Sequence, residues 1–371
     1  MAAPEIPIEV DPATSIWSTD GLPMMYLPRR AAIPLALASV ATAAEYPTPR
    51  EAHWVARDFR FHNGETLPAV KLAYTTIGNP RGLPVLVLHG TAGSARNLLN
   101  PGFAGALFGP GQPLDAQRHF IILPDALGAG ASSKPSDGLR ARFPRYNYDD
   151  MVHAQHRLVT EGLGLNHLRL VIGNSMGGMH SWLWGVTYPD FMDAIVPMAA
   201  QPTEMAARNW MLRRLMIESI RRDPAYADGN YTTPPPSLRM ASLLYATATN
   251  GGTLALQAQA PSRAQADALV EQRLAANPPP DANDFIYQWE SSRDYNPAPL
   301  LERIRARVLA INSADDERNP PQTGVMQAAM QRIAHGRLHL IEASTETTGH
   351  GTTGQARFWR EALREFLASL G

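Results

Sequence analysis

A serine set between glycines in Gly173-Asn174-Ser175-Met176-Gly177, an aspartate pair at Asp315 and Asp316, and a histidine at His350 are residue types that together perform covalent acyl transfer. A serine hydroxyl is a weak nucleophile at neutral pH. A histidine must take its proton, and a carboxylate must hold that histidine in the right tautomer. The oxyanion that forms on the attacked carbonyl then needs fixed N–H donors aimed at it.

The elements around Ser175 suit that task. Leu168 to Ile172 is an apolar, β-branched run that reads as a buried strand, and a helix-length segment follows the glycines. Taken alone, glycine-x-serine-x-glycine marks an ordinary turn. Between a buried strand and a helix it is a nucleophile elbow, which lifts the serine clear of both. A Cβ at Gly173 or Gly177 would collide across such a bend, and Gly178 lets the helix approach the sheet. At the helix N-terminus the Met176 N–H has no intrahelical partner and is free to face an oxyanion.

The apolar strand Pro84 to Leu88 ends in His89-Gly90-Thr91, a form that places the Thr91 N–H as the second oxyanion donor. His89 itself reads as structural, with its ring bonded to backbone. Asp315 and Asp316 follow a predicted strand at Val308 to Ile311, and His350 follows another at Leu338 to Ile341. In a parallel sheet the residues just beyond the strand C-termini line the ligand site. Asp316-Glu317-Arg318-Asn319-Pro320 favours Asp316 as the acid, with Asp315 as the alternative. The chain order serine, acid, histidine is that of α/β-hydrolases and of neither major serine protease lineage.

The remaining pattern agrees with an α/β-hydrolase fold, a mostly parallel central sheet flanked by helices with an inserted helical cap. Trp54 to Gly78 alternates as two antiparallel strands about Asn63-Gly64, and further buried strands are predicted at Phe120 to Leu123 and Ala194 to Met198, with a helix over Tyr148 to Leu163. Residues 201–300 hold no convincing strand. They read as helices over Glu204 to Arg222, Ser237 to Thr249, Ser262 to Ala276 and Asn283 to Arg293, broken by proline runs. The expected organisation is a leader over 1–44, core over 45–200, cap over 201–300 and core again over 301–371, closed by a helix from Gln355 to Leu370.

The chain has 371 residues, a formal net charge of −1 and no cysteine. Near-neutrality argues against nucleic-acid binding, and the missing thiols exclude disulfides, thiolate metal sites and a cysteine nucleophile. Gly128-Ala129-Gly130 lacks the rest of a dinucleotide fingerprint, and His153 and His156 lie on a predicted helix without an acidic ligand pattern, so no cofactor and no metal is expected. Arg29 to Ala44 has a basic start, a short apolar stretch and a small-residue end, the layout of a cleavable export signal. The expected location is therefore periplasmic or secreted, without membrane attachment after cleavage; it becomes cytoplasmic if the segment is no signal.

Over residues 55 to 370 the chain resembles the homoserine O-acetyltransferase family of α/β-hydrolase-fold enzymes. The likeness rests on Gly173 to His180 with Trp184 and Tyr188-Pro189-Asp190, on Asp223 to Tyr231, and on Asp281 to Tyr287. It implies nucleophile, acid and base roles for Ser175, Asp316 and His350, and a homodimer. It also implies an acyl-enzyme that passes an acyl group from acyl-CoA, as co-substrate, to a hydroxyl. With the signal included, the first expectation is an exported hydrolase of small-molecule esters. The alternatives are acyl transfer from acyl-CoA to an alcohol, and a non-catalytic binding protein on the same fold.

Overall fold

The computed structural model describes residues 46–371. The export-signal segment at 29–44 lies outside the described residues. Strands β1 (Arg50–Arg60), β2 (Thr66–Gly78), β3 (Leu83–Leu88), β4 (His119–Pro124), β5 (Leu168–Asn174), β6 (Met192–Met198), β7 (Arg307–Ser313) and β8 (Gly336–Ile341) form one sheet. Its order is β1-β2-β4-β3-β5-β6-β7-β8. β1 and β2 pair antiparallel, as do β2 and β4, and every other pairing is parallel.

A parallel sheet is covered on both faces, so its central strands are apolar on both. Leu168, Leu170, Val171 and Ile172 of β5 are fully buried. One face packs beneath Tyr148, Trp182 and Trp184, and the other beneath Phe103, Phe108 and Trp359. The helix Met176–Thr187 is buried on almost every side. It is a core helix, which is why its sequence shows no polar stripe.

Three elements differ from expectation. The helix from Tyr148 ends at Arg157 and continues as a π-helical turn over Leu158–Gly162, closed by Leu163 N–H on the Leu158 carbonyl at 2.9 Å. The last helix spans only Arg360–Ala368. Upstream of it, Ala356–Phe358 forms a 3-10 turn closed by the Trp359 N–H on the Ala356 carbonyl at 3.0 Å, and the Ala356 N–H bonds the Gly102 carbonyl at 2.9 Å; Trp359, with φ −143°, interrupts the helical path. A helix at Thr253–Gln259, unexpected from sequence, follows the Gly251-Gly252 break.

Between β6 and β7 the chain also forms helices Ala207–Arg221, Ser237–Thr249, Arg263–Ala275 and Ala282–Glu290. Several share an apolar cluster of their own that includes Ile217, Leu238, Phe285 and Trp289. The last of these helices is tied back to the loops above the sheet. Tyr287 Oη donates to the Phe143 carbonyl at 2.8 Å, and Asp284 accepts from Ser136 N–H at 2.8 Å and Ser136 Oγ at 2.6 Å. Desolvation pushes the Asp284 carboxyl up to about 6 despite those two bonds.

The bend after β5 tolerates no added atoms. A Cβ on Gly173 would strike the Gly177 backbone, one on Gly177 the Leu88 carbonyl, and one on Gly178 the Met198 carbonyl. Gly177→Ala is therefore expected to cost roughly 3 kcal/mol, since the Leu88 backbone of β3 and the helix must move apart, read as a lower urea midpoint.

Candidate active site

Ser175 has φ 56° and ψ −113° at the junction of β5 and the helix Met176–Thr187. Its N–H donates to the Met198 carbonyl at 2.8 Å and its carbonyl accepts the Met179 N–H at 2.9 Å, so strand and helix both fix the strained residue. Its side chain is left pointing away from both elements.

His350 comes from the loop after β8. Its Nε2 lies 2.8 Å from Ser175 Oγ, and its Nδ1 lies 3.0 Å from each oxygen of Asp316. An ionised carboxylate only accepts, so Nδ1 carries the proton and the Nε2 lone pair faces the serine hydroxyl. Asp316, just past β7, also accepts the N–H groups of Arg318 and Asn319 at 2.8 and 3.2 Å, and Asn319 Nδ2 at 2.9 Å. Burial alone pushes its carboxyl up. The His350 ring and the bonds from His350, Asn319 and Arg318 outweigh that and hold it below the usual carboxylate range.

Asp315, the alternative acid, faces elsewhere. It accepts Ser313 Oγ at 2.5 Å, Thr347 Oγ1 at 2.8 Å and Gly349 N–H at 3.2 Å, bracing the loop that delivers His350. The adjacent-residue ambiguity is resolved by geometry: the side chains of consecutive residues diverge, and only that of Asp316 meets the imidazole.

The Met176 N–H opens the helix, and the Thr91 N–H lies in the turn Gly90–Gly93. The Thr91 N–H has no acceptor among the described residues, and the Met176 N–H, first in its helix, has no partner one turn back within that helix. A Cβ built on Gly90 would sit 3.5 Å from the Ser175 Cβ, which sets this turn beside the serine. His89 is structural: Nδ1–H bonds the Gly90 carbonyl at 2.8 Å, and Nε2 accepts the Ala126 N–H at 3.0 Å. His153 packs against Phe59, and His156 stacks on Tyr188 with ring centroids 4.0 Å apart.

Several site residues escaped the sequence. Asn319 ties Asp316 to the Ala199 carbonyl at 2.9 Å, and Thr353 Oγ1 reaches Asn174 Oδ1 at 2.5 Å, next to the nucleophile position. Arg213 and Arg318 lie against the Trp289 ring, at 4.7 and 5.6 Å from its centroid. Burial lowers the affinity of His350 for a proton, Asp316 raises it, and the Arg318 and Arg213 charges lower it further; the net shift is downward. No motif marks Arg213, and Arg318 stands in the run after Asp316 at a position to which that run assigns no role; the two come from separate elements.

The chain matches the family described as the alpha/beta hydrolase fold over residues 84–343. A protein of Methanothermobacter thermautotrophicus named a probable acyltransferase is 27% identical over 318 residues, 84% of this chain and 95% of that protein. A homoserine O-acetyltransferase of Solidesulfovibrio magneticus is 29% identical across 82% of this chain and 79% of its own. A serine O-succinyltransferase of Litchfieldella anticariensis is 30% identical across 77% and 81%. The chain belongs to the homoserine O-acetyltransferase-like family of α/β-hydrolase-fold enzymes. It is an enzyme of the ester hydrolase or acyltransferase type.

Solved structures of an ester hydrolase and of an acyltransferase share the fold. An acetylester hydrolase from Corynebacterium glutamicum has a TM-score of 0.73 at 20% identity, covering 86% of this chain and 96% of its own. A homoserine O-acetyltransferase from Bacillus anthracis has a TM-score of 0.72 at 21% identity, covering 86% and 97%. At such identities the likeness concerns the fold alone. The sequence relatives are acyltransferases, so the balance moves from the ester hydrolase expected first toward the acyltransferase alternative.

A fluorophosphonate probe is expected to label Ser175 at a rate that rises with pH as His350 loses its proton. Because the His350 pKa is lowered, the midpoint should fall below the ordinary histidine value of about 6.5. His350→Ala should slow labelling at least about 100-fold. A midpoint above 6.5, or unchanged labelling of His350→Ala, contradicts this arrangement.

Proposed function

We propose that this enzyme moves an acyl group from an activated donor, acyl-CoA or a similar ester, to the hydroxyl of a small alcohol through an ester on Ser175. The observation that carries the reading is the 2.8 Å approach of His350 Nε2 to Ser175 Oγ with the Asp316 carboxylate behind the ring. His350 takes the Ser175 proton as Oγ attacks the donor carbonyl carbon, and the Met176 and Thr91 N–H groups receive the oxyanion. Collapse breaks the bond to the donor's thiolate or alkoxide, which takes the proton from His350. The acceptor hydroxyl then gives its proton to His350 and attacks the acyl carbon. A second collapse releases the new ester and returns the proton to Ser175.

The acceptor side of the reading rests on charge. Arg213 is 2% exposed and bonds only the Trp289 carbonyl at 3.2 Å and Ser292 Oγ at 2.8 Å. Arg318 lies over the Tyr245 ring and donates Nε to Thr249 Oγ1 at 3.1 Å. Neither has a carboxylate within 4.0 Å among the described residues, and Arg213, a buried cation, ordinarily demands an anion, while Arg318 is half-buried. A carboxylate on the acceptor would supply it, and the homoserine and serine acyltransferases named above support an acceptor of that kind.

With acetyl-CoA or succinyl-CoA and homoserine or serine, the purified protein is expected to form an O-acyl amino acid, and Ser175→Ala to abolish the product. Ester hydrolysis without any transfer product would instead favour the second reading, an exported hydrolase in which water attacks the acyl-enzyme. That reading draws on the signal-like segment Arg29 to Ala44, because an exported chain would lack cytoplasmic acyl-CoA. Mass spectrometry of the mature N-terminus tests export: a chain beginning near Glu45 supports it, and one retaining residues 29–44 overturns it.

Arg318→Met is expected to raise KM for the carboxylate-bearing acceptor about tenfold or more, the effect of a lost charge-assisted hydrogen bond. It should also move the acid limb of the pH profile upward, since a cation that depresses the His350 pKa has been removed. An unchanged KM counts against the acceptor assignment.

A further inference from the structure

Asn319 is buried beside the triad with its amide nitrogen committed on two sides. Its Nδ2 lies 2.9 Å from Asp316 Oδ2 and 2.9 Å from the Ala199 carbonyl, and its backbone N–H lies 3.2 Å from Asp316 Oδ1. A carboxylate and a carbonyl only accept, so the nitrogen of the amide, and not its oxygen, faces the triad. Nδ2 also stands 3.4 Å from His350 Nδ1. Both nitrogens carry hydrogen, so this contact is no bond. Amide and imidazole lie side by side on one carboxylate.

The Ala199 carbonyl fixes which way the amide turns. Ala199 follows β6 with φ 48°, a conformation that a non-glycine residue keeps only where its surroundings hold it. Its N–H on the Ile311 carbonyl at 2.9 Å and its carbonyl on Asn319 do so. A flipped amide would set its oxygen against the oxygens of both Ala199 and Asp316, in a place where buried acceptors need donors.

The consequence lies in the charge of the pair. With Asp316 ionised and His350 neutral the pair is negative, and that form takes the serine proton; one further proton neutralises it. A hydrogen bond given to the carboxylate favours the charged form, whichever of the two groups holds that further proton. The other charges that bear on the ring are Arg318, from the same loop as Asp316, and Arg213, from the helix Ala207–Arg221. Asp315 and Glu317 face Gly349, the residue before His350, and Ser175 Oγ meets the ring from the end of β5. None of the charged four bonds the Asn319 side chain, so a substitution at 319 leaves their contacts in place.

We propose that Asn319 is a positioning residue acting through Asp316: its amide, oriented by the Ala199 carbonyl, holds the Asp316–His350 pair in the ionised form that accepts the Ser175 proton. The proposal rests on the acyl-enzyme reading, which takes His350 as the base. It adds that a neutral amide, and not the two arginines alone, sets the acid side of the activity profile.

The test is the pH profile of kcat/KM for p-nitrophenyl acetate with the full-length protein, from about pH 5 to about pH 9, with thermal melts on each variant. Asn319→Leu fills similar space without a donor. Its acid limb is expected to move up by about one pH unit, the effect of one hydrogen bond on a buried carboxylate, so that activity below the limb falls about tenfold and the loss shrinks as pH rises. Asn319→Asp puts an acceptor where the donor stood and should move the limb at least as far. A purely structural role would lower the melting temperature and leave the limb where it is. An unmoved or lowered limb in Asn319→Leu overturns the proposal. Should that variant not fold, Asn319→Asp decides by the same criterion. Ser175→Ala separates the two readings. If it turns over as fast as wild type, the acyl-enzyme reading fails; if it is inactive while the limb of Asn319→Leu is unmoved, only the role of Asn319 falls.

Discussion

The left-handed bend at Ser175 is held by crowding. Gly173, Gly177 and Gly178 bring β5, the following helix and the carbonyls of Leu88 and Met198 closer than any side chain would permit. Relaxing φ at Ser175 toward ordinary values would pull apart β5, its neighbours and a helix buried on nearly all sides. The strain at one residue is thus distributed over the centre of the sheet, where it is cheapest to hold because packing there is densest. The serine hydroxyl is left to meet His350 Nε2, and the Met176 N–H opens the helix at the same bend.

Charge at the site follows from burial. Asp316 is fully buried at its side chain and stays ionised because five contacts compensate it: two to the His350 ring, two from backbone N–H groups and one from Asn319. His350, also buried, is kept neutral by desolvation and by Arg318 and Arg213, against the pull of Asp316. A neutral ring with a committed Nδ1–H has only one thing left to do, which is to accept at Nε2. The same arginines bias the imidazole without a carboxylate bonded to either, and the acceptor reading proposed above rests on that pair.

The helices between β6 and β7 are bound to this centre by specific polar ties and not only by apolar cover. Tyr287, Asp284 and Gln288, on one helix, reach the loops after β3 and β4. On the far side the Gly252 N–H bonds Glu317 Oε1 at 3.0 Å, next to Asp316, and the Gly251 N–H bonds the Thr348 carbonyl at 3.2 Å, two residues before His350. Both the turn that holds Thr91 and the loop that holds His350 are therefore anchored to this segment.

What the sequence alone determined was whatever is written in local spacing: the strand, bend and helix around Ser175, the antiparallel pair before them, the alternation that makes a parallel sheet, and the order of serine, acid and histidine. Each depends on steric or hydrophobic rules that act over a few residues, and the resemblance added the family. The structure alone decided matters that depend on which way a side chain turns or on residues distant in the chain. Asp315 and Asp316 are equal in sequence, and only the exit angle of the chain after β7 sends Asp316 to the imidazole and Asp315 to Thr347 and Gly349. Gln288 and Ala92, or Arg213 and Arg318, carry no shared pattern, because the partners lie on different elements and meet only when the helices seat. The ends of the helices from Tyr148 and before Leu370 were misjudged for different reasons: the first passes into a π-helical turn that keeps the same apolar periodicity, and the second begins late because the chain before it is bonded to Gly102.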